Sequence, residues 1–214
     1  MVTIRPAVSS DADLVGQLMA QAFRDDPTWS VYYPDASTRP AKLNAHYRRR
    51  VRKHPELADV AVDHGRIVGA LMWEAPHKKS TVAAILRSGS RIARRLVSRL
   101  PGRQGIAHTL AVEKHRPLEP HWYIHDVAAS PQARGKGVGS ALLTHRLAEI
   151  DAATAPGGTH PAGMAALTPP TALESTTPGS RRLYERFGFE AVAQVPTQPG
   201  QSSTIMIRRP AARS

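Results

Sequence analysis

The pattern of hydrophobic and polar positions is most informative over residues 122–149, where it predicts a strand, a glycine-rich loop and a helix. Ser130-Pro131 ends the strand, and apolar positions repeat at helical spacing from Ser140 onward. Side chains of a strand alternate between its two faces. The strand should therefore carry on one face Tyr123, His125, Val127 and Ala129, and on the other Ile124, Asp126 and Ala128.

The same reasoning predicts elements on both sides of this stretch. Two apolar runs around His64-Gly65 indicate a hairpin. Residues 24–34 combine carboxylates, aromatic residues and prolines, and we expect an irregular segment there. Residues 152–170 are too rich in Ala, Gly, Pro and Thr for one regular element. The remaining predictions are helices over residues 41–54, 80–100 and 180–187, and strands over residues 171–175, 190–195 and 203–208.

Composition is compatible with one catalytic domain over residues 1–214, because 41% hydrophobic residues allow a sizeable core. No apolar run is long enough to cross a bilayer and no signal peptide pattern is present, so we expect a cytoplasmic protein. The absence of cysteine excludes disulfides, thiolate nucleophiles and cysteine-ligated metals.

The net charge of +12 is compatible with nucleic acid, an acidic membrane or an anionic cofactor as partner, and charge alone does not choose among them. Much of the excess lies in residues 46–54 and 87–103. The helix predicted over residues 80–100 is amphipathic and basic, which is compatible with a membrane surface, but its ordinary apolar stripe favours packing onto a core.

The glycine-rich loop is a candidate anion site. It opens onto a helix N-terminus, where unpaired N–H groups and the helix dipole attract phosphate. A tight strand-to-helix turn without a ligand is the simpler alternative. The loop matches neither the P-loop nor the dinucleotide fingerprint. Its residues are Arg134, Gly135, Lys136, Gly137, Val138 and Gly139.

Residues 134–139 match the R/Q-x-x-G-x-G/A motif of the GCN5-related N-acetyltransferases (GNAT), which transfer acetyl from acetyl-CoA to amines. The chain also resembles the branch of this family that contains puromycin N-acetyltransferase, an antibiotic-resistance enzyme. The resemblance is carried by the segments HRPLEPHWYIHDVAASP, LESTTPGSRRLYERFGFE and AFRDDP. The resemblance implies a layered α/β fold: a central mixed, mostly antiparallel twisted sheet is flanked by helices, and its strands splay at the acetyl-CoA site.

The resemblance implies acetyl-CoA as co-substrate and no metal. Backbone groups of the central strand should pair with the pantetheine arm, and the amides of the loop should hold the pyrophosphate. The implied cofactor-binding residues are Val127, Ala128, Ala129, Arg134, Gly135, Lys136, Gly137, Val138, Gly139, Ser140 and Ser180. Thr177 stands where the family commonly has an asparagine, so one hydrogen bond on the CoA side is in question.

Acetyl transfer needs a base for the amine and an acid for the departing thiolate. His125 is the candidate base, because it titrates near neutrality and matches a family position that carries Glu or His. A packed strand histidine is the alternative, with Asp126, Glu174 or water as base. Tyr184 matches the family's acid, with Ser180 as the small residue four positions before it. A core tyrosine with a satisfied hydroxyl is its alternative.

The acceptor is expected to be a small-molecule primary amine, for which an aminonucleoside is plausible. The candidate substrate-binding residues are Trp29, Tyr32, Tyr33, Asp126 and Glu174. A protein or peptide N-acetyltransferase is the second hypothesis, and a non-catalytic GNAT-fold binder of nucleic acid or membrane is the third. We expect no nucleic-acid or membrane partner and a monomer or homodimer.

Overall fold

The computed structural model of the protein describes residues 2–76, 102–153 and 169–209. The helix predicted over residues 80–100 and most of the connection over residues 152–170 lie outside this part. In chain order the elements are β1 Thr3–Pro6, α1 Ala12–Ala22, α2 Pro27–Tyr32, α3 Arg39–Lys53, β2 Ala58–Asp63, β3 Arg66–Glu74, α4 Arg103–His115, β4 Trp122–Ala129, α5 Val138–Ala153, β5 Thr171–Ser175, α6 Pro178–Glu185, β6 Glu190–Pro196 and β7 Ser202–Arg208.

The seven strands form one sheet in the order β1-β2-β3-β4-β5-β7-β6. All neighbouring strands are antiparallel except β4 and β5, which run parallel. The predicted fold class, a mixed and mostly antiparallel sheet flanked by helices, is confirmed.

Helices cover both faces of the sheet. Neighbouring residues of a strand point to opposite faces, so one strand can contribute to the core on each side. On one face, Met19 of α1 and Tyr47 of α3 pack on Met72 and Ala128 of the sheet. On the other face, Leu142, Leu143 and Leu147 of α5 pack on residues that include Leu71 and Ile124. The central strands β3 and β4 therefore contribute to two separate cores.

A buried ion pair joins the second helical layer to the sheet. Nε and Nη2 of Arg146 in α5 donate to the two carboxylate oxygens of Asp59 in β2 at 2.7 and 2.5 Å. The Asp59 side chain has no exposed surface. Because each charge is buried with its partner, the pair fixes the position of α5 on the sheet.

The sequence predictions of elements agree with the structure in most places. The hairpin turns at His64-Gly65, where both residues have positive φ angles of 47° and 74°. The helix predicted over residues 41–54 is α3, which begins at Arg39. The prediction of an irregular segment over residues 24–34 is wrong in part, because the short helix α2 lies within it.

The parallel strands β4 and β5 separate after a short paired region. Their pairs are Trp122 with Thr171, Tyr123 with Ala172 and Ile124 with Leu173, and no later residue of β4 pairs with β5 in the described structure. The edge of β4 from His125 onward is therefore open on this side. This separation agrees with the splayed strands that the resemblance to the GNAT family implies.

Candidate active site

A cavity of about 410 Å³ opens where β4 and β5 separate. The two strands, the segment that leads into α2, the glycine-rich loop and the helix α6 all contribute to its wall. The lining residues include five with titratable side chains that face one another across it: Asp26, His125, Asp126, Glu174 and Tyr184. Titratable groups gathered in one cleft are typical of catalytic sites.

A bulge in β4 decides which of its side chains reach this cavity. Met72 of β3 pairs with Asp126 and Trp73 pairs with Ile124, so His125 is the extra residue between the two pairs. A bulge shifts the alternation of side chains by one position. As a result Val127 lies with Ile124 on the α5 side of the sheet, and both His125 and Asp126 line the cavity.

The bulge corrects the predicted faces of β4. Strict alternation places His125 with Val127 and Ala129, and Asp126 opposite to them. In the structure Ala129 and Val127 pack with the α5 core, while Ala128 packs with the α1 and α3 core. The sequence does not reveal the bulge, because it depends on how β4 pairs with β3.

The glycine-rich loop connects β4 to α5. Gly135 and Gly137 have φ angles of 75° and 77°, in the left-handed region that favours glycine. Gly139 lies inside α5, where an added Cβ would meet Leu183 at an ordinary distance of 3.7 Å. Two of the three glycines are therefore required by backbone conformation, and the third is not.

The start of α5 presents backbone donors next to the open edge of β4. The helix begins at Val138, two residues earlier than predicted. The Ala141 N–H donates to the Gly137 carbonyl at 2.9 Å. The N–H groups of residues 138–140 lie before this bond and have no partner within the helix. Unpaired amides and the positive end of the helix dipole make this terminus suited to an anion. Arg134 adds a positive side chain to the cavity wall.

Tyr184 is placed by a well-capped short helix. Thr177 Oγ1 accepts from the Ser180 N–H at 3.1 Å, and Pro178 occupies the first turn of α6. Thr177 thus caps α6 where the family commonly has an asparagine. Tyr184 is 7% exposed, and its ring meets Phe189 edge to face. Burial, with smaller effects of the Asp126 and Asp26 carboxylates, raises the pKa of Tyr184. Its phenol therefore carries a proton at neutral pH.

His125 is held by a carboxylate on the neighbouring strand. Its Nε2 donates to Oε2 of Glu74 at 3.0 Å, and its ring meets Tyr123 at a centroid distance of 4.7 Å. Burial lowers the pKa of His125 to about 4, although the Glu74 hydrogen bond opposes this. At neutral pH the imidazole is uncharged, and because Nε2 carries the hydrogen its Nδ1 is the basic nitrogen.

Asp126 is a carboxylate of this cavity with few hydrogen-bond donors. Trp29 Nε1 lies 3.4 Å from its Oδ1, and the Asp126 carboxylate lies near the buried Tyr47 hydroxyl. In the described part of the chain no Lys, Arg or His forms a salt bridge with it. Burial raises the pKa of Asp126 to about 6, and the positive charge of Arg50 opposes this. A half-buried carboxylate that forms no direct salt bridge among the described residues attracts a positively charged ligand.

The segment before and within α2 forms the wall opposite β4. Asp26 caps α2 by accepting from the Thr28 and Trp29 N–H groups at 2.9 and 3.1 Å, and it also accepts from the Thr176 hydroxyl. Burial raises the pKa of Asp26, and this effect is larger than the opposing effect of the hydrogen bonds. The exposed Asp25 adds a further carboxyl group to the wall.

Eight of the eighteen predicted site residues line the cavity. Within the described part, Tyr32 and Tyr33 do not line the cavity. Tyr33 stacks on Trp29 at a ring distance of 5.8 Å, and the Tyr32 hydroxyl bonds to Thr109 at 2.9 Å. Both tyrosines support the wall from behind. The predicted residues that line the cavity are Trp29, His125, Asp126, Val127, Arg134, Glu174, Ser180 and Tyr184.

Sequence reasoning did not identify several lining or supporting residues. Asp26-Pro27 is a recognisable helix start, a capping residue followed by proline, and this signal could have located α2. His108 bonds to Glu174, 66 positions away, and Glu74 bonds to His125, 51 positions away. No local pattern marks these two contacts.

Comparison with known proteins agrees with this geometry. A model of the acetyltransferase (GNAT) domain matches residues 57–191, which is more than half of the chain and includes β4, the glycine-rich loop, α5 and α6. The chain belongs to the GNAT family of acetyltransferases.

Solved GNAT structures resemble the chain over its whole length. A Corynebacterium glutamicum protein described as histone acetyltransferase HPA2 and related acetyltransferase is 28% identical, with a TM-score of 0.68, covering 100% of this chain and 98% of that one. A polyamine N-acetyltransferase of Drosophila melanogaster is 15% identical, with a TM-score of 0.57 and coverages of 98% and 100%. PaiA N-acetyltransferase of Thermoplasma acidophilum, solved with coenzyme A, is 9% identical, with a TM-score of 0.57 and coverages of 98% and 99%.

Residues 2–76, 102–153 and 169–209 contain no group of three or more His, Asp or Glu side chains arranged to hold a metal ion. No helix in these ranges has the length and apolar character to span a membrane. The predicted oligomeric state and the expected absence of a nucleic-acid partner stay predictions.

Proposed function

We propose that this GNAT domain transfers an acetyl group from acetyl-CoA directly to a primary amine of a small molecule, with both substrates bound together. The observation that carries the proposal is the cavity at the separated ends of β4 and β5. This one cavity beside the glycine-rich loop is lined by a protonated phenol, Tyr184, and by a carboxylate, Asp126, that forms no salt bridge among the described residues.

The residues around the glycine-rich loop fit acetyl-CoA. The open edge of β4, from Val127 to Ala129, offers backbone groups to the pantetheine arm as a neighbouring strand would. The left-handed Gly135 and Gly137 and the first amides of α5 offer donors to a pyrophosphate. Residues 134–140 and Ser180 complete the proposed cofactor side. When bound, acetyl-CoA supplies an activated acyl thioester.

The reaction then needs three proton transfers, because the acceptor arrives as an ammonium ion. The ammonium ion first loses one proton to a base in the cavity. The amine nitrogen forms a bond to the acetyl carbon, the carbon–sulfur bond breaks, and Tyr184 donates a proton to the sulfur so that CoA leaves as a thiol. Burial raises the pKa of Tyr184, so the phenol holds this proton beforehand. The nitrogen loses its second proton as the amide forms, and this proton restores the Tyr184 phenol.

Two side chains are candidates for this base. Nδ1 of His125 has no hydrogen-bond partner among the described residues, but a pKa of about 4 makes the imidazole a weak proton acceptor. Asp126 has a pKa of about 6, closer to neutrality, and it lies in the same cavity. Since proton transfer is most effective when the pKa of the base lies near the working pH, we assign the role to Asp126 first and to His125 second.

The acceptor side of the cavity favours a cationic amine. Although the chain carries a net charge of +12, this wall holds Asp25, Asp26, Asp126 and Glu174 together with the indole of Trp29. An alkyl amine has a pKa of about 10.4 and arrives as an ammonium ion. The resemblance to the puromycin branch makes aminonucleosides the first acceptors to test, and the polyamine relative makes di- and polyamines the next.

The test is thiol release from acetyl-CoA with a panel of amines: puromycin, other aminonucleosides, aminoglycosides, alkylamines, polyamines and basic peptides. Amine-dependent release with acetylated product detected by mass spectrometry supports the proposal. Tight acetyl-CoA binding with no acceptor in the panel at millimolar concentration contradicts it.

A protein N-acetyltransferase is the second candidate. It is favoured by the printed description of the Corynebacterium glutamicum relative as a histone acetyltransferase and related acetyltransferase. The carboxylates that suit a small ammonium ion also suit a lysine side chain. Turnover with basic peptides and none with free amines would select this alternative.

A further inference from the structure

Glu174 occupies a special place on β5. It is the first residue after Leu173, the last residue of β5 that pairs with β4, so it stands at the point where the two strands separate. Its carboxylate lines the cavity on the acceptor side, and the side chain is 12% exposed.

Two donors hold one oxygen of this carboxylate. His108 Nε2 donates to Oε1 of Glu174 at 2.8 Å, and Thr28 Oγ1 donates to the same oxygen at 3.0 Å. Within the part of the chain that the structure describes, Oε2 of Glu174 has no hydrogen-bond partner. A carboxylate oxygen has two lone pairs, so Oε2 is available to a ligand while Oε1 fixes the orientation of the group.

His108 balances the charge of Glu174. Its second ring nitrogen, Nδ1, lies 3.3 Å from the carbonyl oxygen of Pro196, which accepts hydrogen bonds and cannot donate them. Both ring nitrogens therefore face acceptors, an arrangement that favours the doubly protonated, positively charged form of His108. Burial alone would lower the pKa of His108, but the hydrogen bond and charge of Glu174 together raise it. The His108 residue is 4% exposed, and the Tyr32 ring packs edge to face against it.

Two of the acceptor-side carboxylates, Glu174 and Asp126, thus differ in their cationic partners. Glu174 is in direct contact with His108 at 2.8 Å, whereas Asp126 forms no salt bridge among the described residues and is affected by Arg50 only through its charge. An ammonium ion is stabilised most where a carboxylate lacks a counter-ion, because desolvating a cation is costly without a full opposite charge. A neutral hydroxyl or amide N–H has a small desolvation cost and can donate a charge-assisted hydrogen bond to Oε2.

We propose that Glu174, positioned by His108 and Thr28, recognises the acceptor and selects amines that carry a second, uncharged hydrogen-bond donor such as a hydroxyl or amide N–H. This inference rests on the proposed acetyl transfer and names the acceptor class for that site. The ammonium group binds at Asp126, and the neutral donor binds at Oε2 of Glu174. Amino alcohols, amino sugars and aminonucleosides belong to this class, whereas simple alkylamines and diamines do not.

The experiment compares three matched acceptors at each chain length from about two to six carbons: the alkylamine, the amino alcohol and the diamine. At the best length we expect kcat/KM for the amino alcohol to exceed that of the alkylamine by about tenfold, since a site built to bond a hydroxyl discriminates against its absence. The diamine should fall below the amino alcohol. Glu174→Met, which keeps the length of the side chain, should reduce both preferences to less than about twofold.

Variants separate recognition from stability. Glu190→Met replaces an exposed glutamate of β6 and should leave the acceptor preference unchanged. His108→Leu should raise the KM for the amino alcohol with little change in acetyl-CoA affinity, and His108→Gln, which can still donate one hydrogen bond to Glu174, should restore most of the loss. Adding His108→Leu to Glu174→Met should raise KM no further, because His108 acts through Glu174.

The outcomes distinguish this inference from the proposed function. Turnover of all three acceptors with equal efficiency, or a preference that survives Glu174→Met, overturns the role of Glu174 and leaves acetyl transfer intact. A preference for the diamine overturns the requirement for a neutral donor. No turnover with any member of the series, together with none in the wider amine panel, contradicts the proposed function itself.

Discussion

The two sides of the cavity are built in different ways. The cofactor side consists mainly of backbone: two left-handed glycines, the first amides of α5 and the open edge of β4. The acceptor side consists of buried side chains that bond across long sequence distances, such as Glu174 with His108 and Trp29 with Asp126. Backbone donors suit a cofactor common to a whole family, whereas side chains can vary with the acceptor while the fold stays the same. Substitutions should therefore affect one side without the other.

Tyr184→Phe should show the largest effect, because it removes the proton donor and leaves both binding sides in place. We expect kcat to fall by about a hundredfold or more, as for loss of general acid catalysis, with the acetyl-CoA Kd unchanged. Steady-state thiol release and calorimetry measure the two quantities. Tyr33→Phe is the control, since Tyr33 stacks behind Trp29 and does not line the cavity. An unchanged kcat in Tyr184→Phe would remove Tyr184 as the acid.

Asp126→Asn should impair the acceptor side alone. At pH 7.5 we expect kcat/KM for the amine to fall by about tenfold or more, as for the loss of a general base. Below a pH of about 6 the wild-type carboxyl group is protonated and can neither attract the ammonium ion nor take its proton. The ratio of wild-type to variant rates should therefore decline toward one as the pH falls through this value.

His125→Gln is the matched comparison for Asp126. Because the pKa of His125 is about 4, its protonation lies below the range in which Asp126 titrates. The decline of the wild-type rate near pH 6 should persist in His125→Gln and disappear in Asp126→Asn. The reverse pattern would make His125 the base. Rates taken as ratios to the wild type cancel the titration of the amine itself.

Gly137→Ala should impair the cofactor side alone. The φ angle of 77° costs a residue with a Cβ about 1–2 kcal/mol, so the loop should relax in the free protein and bind acetyl-CoA about tenfold more weakly. The kcat at saturating acetyl-CoA should change little. Gly139→Ala is the control, because its Cβ would make only ordinary contact with Leu183. Equal losses of affinity in the two variants would contradict the backbone argument.

Thr177→Val should have the smallest effect, because it removes a cap and no catalytic group. Loss of the hydrogen bond from the Ser180 N–H to Thr177 Oγ1 should lower the free energy of unfolding by about 1 kcal/mol and Tm by about 2–4 °C. Thr197→Val is the control, since its buried hydroxyl has no hydrogen-bond partner among the described residues. A smaller loss in Thr177→Val than in Thr197→Val would show that the cap does not stabilise α6.

The contrast between the two sides also explains what the sequence could predict. The glycine-rich loop and α5 follow from residues 134–147 alone, since glycine spacing and helical periodicity are local. The hairpin at His64-Gly65 and the strands β5 to β7 are local in the same way. The bulge at His125 is not local, because the register of β3 creates it. The pairing of His108 with Glu174 needs four elements brought together by the fold.

The most direct test of the central claim is thiol release from acetyl-CoA by the wild-type protein and by Tyr184→Phe, with and without amine, at equal acetyl-CoA saturation. The account predicts that release requires an amine, yields the N-acetylated amine in equal amount, and falls by about a hundredfold in Tyr184→Phe. Release that does not depend on the amine, or that is equal in the two proteins, would contradict transfer through this cavity.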